Sequence, residues 1–128
     1  MIPWLDRTLV VNPYYFCLCT TKKQYKKVLR KIKLDKKQWP EFIADRAHAM
    51  LHTFETPTKM FAVVCFRPNK NYTAAQQHGL LVHEATHLWQ KIRTHYGEDM
   101  PSNEFEAYAV QTLSQRLIES FIEQTEKT

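Results

Sequence analysis

The chain predicts an α+β domain: a short β-sheet in its first half, a basic helix beside it, and two helices packed together at its C-terminal end. Three observations lead there. Apolar runs rich in β-branched and aromatic residues occupy residues 8 to 19 and 47 to 66. From residue 74 onward apolar residues recur instead at helical spacing. A threonine followed three positions later by glutamine marks two helix starts, at Thr21 and Thr73. The chain has 128 residues, 44% of them hydrophobic, enough for one modest core, so residues 1 to 128 are expected to form a single domain.

The elements follow in order. Residues 8 to 19, TLVVNPYYFCLC, read as a strand bent or broken at Pro13. Thr21 with Gln24 fits a capping box, and the basic helix it opens runs to about Leu34, before Trp39-Pro40 ends the segment. Its Tyr25, Val28, Leu29 and Ile32 form an apolar stripe, with the lysines on the other side. The runs AHAMLHTF and MFAVVCF, joined by the turn ETPTK, predict a hairpin over residues 47 to 66. Thr73 and Gln76 form a second capping box and Gly97 supplies a C-terminal stop, so a helix is expected over residues 74 to 96. Leu81, Ala85, Leu88 and Ile92 would face its core side, with His83 and His87 on an adjoining stripe. After Pro101, Ser102 or Asn103 can cap a last helix whose Ala107, Val110, Leu113, Leu117 and Phe121 point inward.

The net charge of +5 is unevenly spread. Residues 22 to 37 carry nine Lys or Arg against the single Asp35, whereas residues 98 to 128 carry seven Asp or Glu against Arg116 and Lys127. Such a basic face is either solvated or a docking surface for an anionic partner, nucleic acid or an anionic membrane. Three cysteines without Cys-x-x-Cys spacing argue for free thiols, buried in strands, in a reducing compartment. The N-terminus lacks a basic leader and no stretch reaches the length of a membrane span, so the expected location is the cytoplasm.

Within the helix over residues 74 to 96 lies His83-Glu84-Ala85-Thr86-His87. Residues four apart are neighbours on one helix face, so both imidazoles can reach one Zn²⁺ at about 2.0 to 2.1 Å. Glu84 sits roughly 100° round the axis from His83 and 60° from His87, near such a metal without having to bind it. That is where a general base belongs, taking a proton from an activated water and passing it to a leaving amine. The H-E-x-x-H pattern therefore carries a mechanism with it, whereas His48 and His52, also four apart, have no adjacent acid and would only share a strand face.

A catalytic zinc takes a third protein ligand and keeps one position open. His95 is a poor candidate, about 12 Å further along the axis than His87. Gln90 and Arg93 stand where a metzincin continuation would need Gly and His. The acids of the next helix remain: Glu104 or Glu106, in SNEFEAYAVQ. Here the sequence resembles the gluzincin branch of zinc metallopeptidases, over LLVHEATHLWQ through EFEAYAVQTL. ImmA/IrrE-like proteins and the membrane-embedded prenyl-protein peptidases are similar in taking the third ligand from a Glu-x-x-Ala motif, and small phage-encoded metallopeptidases are similar in brevity. The resemblance implies a small zincin-like domain with Zn²⁺ on His83, His87 and Glu104, and Ala107 as the small residue that lets two helices approach. Glu106 with Ala109 satisfies the same pattern, though Glu106 shares a stripe with Val110, Leu113 and Leu117. Tyr108 stands where the ImmA/IrrE-like pattern has Asn.

The implied activity is a zinc-dependent peptidase with Glu84 as general base. Tyr108 is the first candidate to stabilise the oxyanion, with Arg93, His95 and Tyr96 behind it. By the same resemblance a peptide or protein substrate would pair with MFAVVCF as the edge strand above the metal. Two other functions fit the residues: a nucleic-acid-associated protein using the lysine-rich helix, and a non-catalytic module with a closed metal site. Gly79, one turn before His83 on the same side, either leaves room for a backbone or a substrate or is a plain helix glycine.

Overall fold

A computed structural model describes residues 4–5 and 12–126, in which three strands and three α-helices follow in the order β1 (Tyr14–Cys19), α1 (Lys22–Lys31), β2 (Ala49–Glu55), β3 (Met60–Phe66), α2 (Ala74–His95) and α3 (Asn103–Glu126). Residues 8 to 11 of the expected first strand lie outside the described residues; β1 begins one residue after Pro13. Among the described residues no helix is long and apolar enough to cross a membrane.

Local chemistry sets the helix ends. Both capping boxes form: Thr21 and Thr73 accept from the N–H of Gln24 and Gln76, whose side chains reach back to the cap backbone. Ser102 caps α3, its hydroxyl accepting from the Phe105 N–H at 3.2 Å. Gly97, at φ 70°, ends α2 as expected. The Glu98 and Gly97 N–H groups there return to the carbonyls of Arg93 and Thr94, a Schellman turn. The basic helix ends earlier than the sequence suggests, at Lys31. Leu34 and Lys33 bond back to Leu29 and Arg30 in the same pattern, with Lys33 in the left-handed position at φ 61°. A lysine there carries no stop signal that could be read from its identity.

The sheet order is β1-β3-β2, with β1 parallel and β2 antiparallel to β3. MFAVVCF is therefore the central strand rather than an edge, and among the described residues β1 and β2 are the edges. The burial explains it: Phe61 through Phe66 are all buried, as a strand covered on both faces requires. On one face Tyr14, Phe16, Leu18, Ala62, Val64 and Phe66 pack against Leu81, Ala85, Leu88 and Ile92 of α2 and Leu113, Leu117 and Phe121 of α3. On the other face Cys17, Cys19, Val63 and Cys65 meet Tyr25, Val28 and Leu29 of α1, with Phe42 and Ile43. The result is a three-layer arrangement of helix, sheet and helix pair. The three cysteines are free and buried, as expected. On α3 the contact stripe begins at buried Ala109, whereas Ala107 is exposed, so Ala109 is the small residue at the α2–α3 contact. Helix phase at that end follows the packing on α2, which the apolar spacing downstream did not fix.

Candidate metal centre

Helix α2 positions the motif by its amphipathic phase. With Leu81, Ala85, Leu88 and Ile92 turned to the sheet and α3, His83 and His87 fall on the exposed side, and Glu84 on the flank between them and the core. The two Nε2 atoms lie 3.1 Å apart. Metal bonds of about 2.05 Å at that separation subtend roughly 98°, close to tetrahedral. The donor atoms of His83, Glu84 and His87 all lie within 4.8 Å of one another, and among the described residues no other group of three or more His, Cys, Asp or Glu does so. The residues thus fit a divalent ion of the zinc class.

Their surroundings favour that use. His87 Nδ1 is 3.1 Å from Gln90 Oε1. With the Nδ1 proton donated there, Nε2 keeps its lone pair for a metal, the usual outer support of a ligating histidine. Glu84 is 4% exposed, and no described group hydrogen-bonds its carboxylate. Burial raises its pKa from the ordinary value, and the neighbouring His83 and His87 partly oppose this. A carboxylate made more basic and left without a partner suits proton transfer.

The group opens into a cleft of about 730 Å³ between α2 and the sheet. Ala49, Met50, Leu51 and Glu55 of β2 line its far wall, and Tyr14 and Met60 its end. The outer edge of β2 is unpaired among the described residues, so backbone donors and acceptors border the cleft. Tyr14 and Glu55 were not anticipated, although the two-residue period of β1 does put Tyr14 with Phe16 and Leu18 on the α2 face. Burial, then the Glu55 charge, raises the Tyr14 phenol and keeps it protonated.

The expected partners on α3 divide. Glu104 and Glu106 both lie outside the three-residue group and the cleft lining; Glu104 is exposed, as is Tyr108, 59% exposed and also absent from that lining. Glu106 is half-buried against α2, its Oε2 accepting from Trp89 Nε1 at 2.9 Å. It lines a second concavity of about 480 Å³ with Thr86 and Gln90, and Gln90 also lines the cleft. Of the other oxyanion candidates, His95 lines the cleft, Tyr96 is exposed, and Arg93 is committed to the carbonyls of Glu98 and Asp99. His48 and His52 do not pair: His48 is exposed and meets the Tyr72 hydroxyl at 2.8 Å, and buried His52 meets the Phe42 carbonyl at 3.1 Å. Compared with family models, curated proteins and solved structures, the chain matches none.

Proposed function

We propose that the chain is a zincin-like, gluzincin-type metallohydrolase that cleaves peptide bonds, with His83 and His87 as ligands and Glu84 as general base. The observation that carries this reading is the pair of Nε2 atoms 3.1 Å apart beside a buried, unpartnered carboxylate, in a cleft under a free strand edge. A divalent ion bound there supplies Lewis acidity, polarising the scissile carbonyl and lowering the pKa of the attacking water. Glu84 accepts the water's proton and delivers it to the departing amine. Gln90 holds the His87 ring in its ligating tautomer. The outer edge of β2 aligns an extended substrate through main-chain hydrogen bonds, so β2 takes the place that sequence reasoning gave to β3. Tyr14 and His95, along with Lys91 and Thr94, are donors on the cleft lining available to a developing oxyanion.

For the third ligand we favour Glu106 over Glu104. Glu106 faces α2 and has buried Ala109 three residues on, which allows close helix approach; Glu104 and Ala107 are both exposed. One Glu106 oxygen holding the Trp89 indole would fix the carboxylate's direction and leave the other free.

The test is metal content together with hydrolysis of a quenched peptide library. Wild type should hold about one zinc per chain, lost in His83→Ala and His87→Ala. Glu84→Gln should keep the ion and lose hydrolysis. Zinc-loaded Glu84→Gln with wild-type turnover would rule out the assigned base, and loss of the ion from that variant would make Glu84 a ligand of a non-catalytic site.

A further inference from the structure

On the opposite face of the sheet from the His–Glu–His group, α1 presents a surface that the proposed hydrolysis does not use. All nine Lys and Arg of residues 22 to 37 are exposed, and none forms an ion pair among the described residues. The single acid of that stretch, Asp35, is occupied as a cap, accepting the Lys37 N–H at 3.1 Å. The apolar side of α1 is committed to the core: Tyr25, Val28 and Leu29 are 2%, 4% and 0% exposed. The basic character continues round one end of the sheet. The register Cys19↔Cys65 and Ala49↔Phe66 brings the start of α1, the approach to β2 with Arg46 and His48, and the exit from β3 with Arg67 and Lys70 to that end. There His48, Arg67 and Lys70 line a concavity of about 810 Å³ that has no acidic residue in its lining. The Arg67 guanidinium lies 6.0 Å from the centre of the Phe42 ring, itself 5.6 Å from Tyr25, so Arg67 joins the concavity to the α1 layer.

We propose that this surface binds nucleic acid through its phosphate backbone, α1 lying along a strand and the concavity taking a further phosphate. A membrane fits it less well, because a surface-seeking helix binds lipid by inserting its apolar face, and here that face is buried. A helix of 10 residues spans about 15 Å, the length of roughly four phosphates along one strand. With Arg67 and Lys70 the footprint is about six phosphates. No described aromatic projects from the basic face of α1, so binding is through charge and indifferent to base sequence.

The experiment is fluorescence anisotropy of two labelled duplexes of unrelated sequence, about 20 base pairs each, titrated between 50 and 200 mM salt. The expected result is equal affinity for both, with log K falling against log salt at a slope of about −5, a loss of about 10³-fold over that range. Lys23→Gln/Lys27→Gln/Arg30→Gln removes three contacts and should make the slope shallower by about 3. The variant's zinc content and melting temperature should match wild type, since these side chains touch neither core nor metal group. Should the triple variant fail to fold, Lys27→Gln alone must lower the slope by about 1. The proposal is overturned by a slope no steeper than about −1. It is equally overturned by a folded triple variant that binds like wild type, or by capture on anionic vesicles with no duplex binding. None of these outcomes depends on whether the cleft is a peptidase.

Discussion

Exchanging Glu106 for glutamine separates two roles that the carboxylate can hold at once. Glutamine keeps an oxygen to accept the Trp89 N–H, now at 2.9 Å, and keeps the volume against α2. The metal-free melting temperature of Glu106→Gln should therefore stay close to wild type. Glu106→Ala leaves a largely buried indole N–H without its partner, at a cost of about 1 to 3 kcal/mol. Zinc reports on the other role. At a free concentration a hundred times Kd, binding to the folded state alone adds about 2.7 kcal/mol. For a chain of 128 residues that is a rise in Tm of about 10 °C, at roughly 4 °C per kcal/mol. If losing the charged ligand weakens the site a hundredfold, the same zinc adds about 0.4 kcal/mol and only 1 to 2 °C. Differential scanning calorimetry with buffered zinc on wild type, Glu106→Gln and Glu104→Gln reads all three. A full zinc shift in Glu106→Gln would refute the assignment: with the shift lost in Glu104→Gln the exposed carboxylate is the ligand, and with it kept in both α3 supplies none.

Further predictions concern the scaffold and the base. Leu88, 0% exposed on α2, should cost about 2 to 5 kcal/mol on truncation to alanine, read as a lower urea midpoint at unchanged m. Gly79→Ala should raise stability by up to about 1 kcal/mol, because a Cβ there meets nothing within 4 Å, and a fall in Tm would show that an unseen neighbour needs the space. Glu84→Gln should be more stable than wild type at neutral pH without metal. The raised Glu84 pKa means that the folded state holds this proton more tightly than the unfolded chain, whose carboxyl titrates near its ordinary 4.5. The resulting stability is present below that pH and is lost as pH rises through the folded pKa, so the variant's advantage should vanish in acid. A constant advantage across pH would trace it to packing instead.

The parts of the fold written in local chemistry were legible. Both Thr-x-x-Gln boxes, the stop at Gly97, the hairpin around ETPTK and the core stripe of α2 depend on residues within a few positions of one another, and each stands where its signal lies. What escaped depends on distant pairing. That β3 is central follows from its parallel union with β1, Tyr14 beside Met60; the unbroken apolar run of MFAVVCF fits a strand covered on both faces but does not name that neighbour. Which of Glu104 and Glu106 turns toward α2 depends on how α3 rotates against it, and that rotation follows the packing around buried Ala109 rather than any spacing within SNEFEAYAVQ. The site followed the same division: His83, Glu84 and His87 converge because helical spacing makes them converge, whereas Tyr14 and Glu55 join the cleft only once the sheet is assembled.

The parallel union of β1 with β3 also implies an order of assembly. β2, β3, α2 and α3 follow one another by short connections and contact their neighbours in sequence, so loop closure costs them little. β1 must instead close a long crossover that contains α1 before its first ladder bond forms. The half of the molecule that holds the histidine pair can therefore gain protection first, and the half that holds the lysines docks onto a sheet already begun. Pulse-labelled hydrogen exchange during refolding would follow that sequence, amides of β2 and α2 closing ahead of those in β1. The histidine pair and the lysine face would then differ in when they are assembled as well as in where they lie.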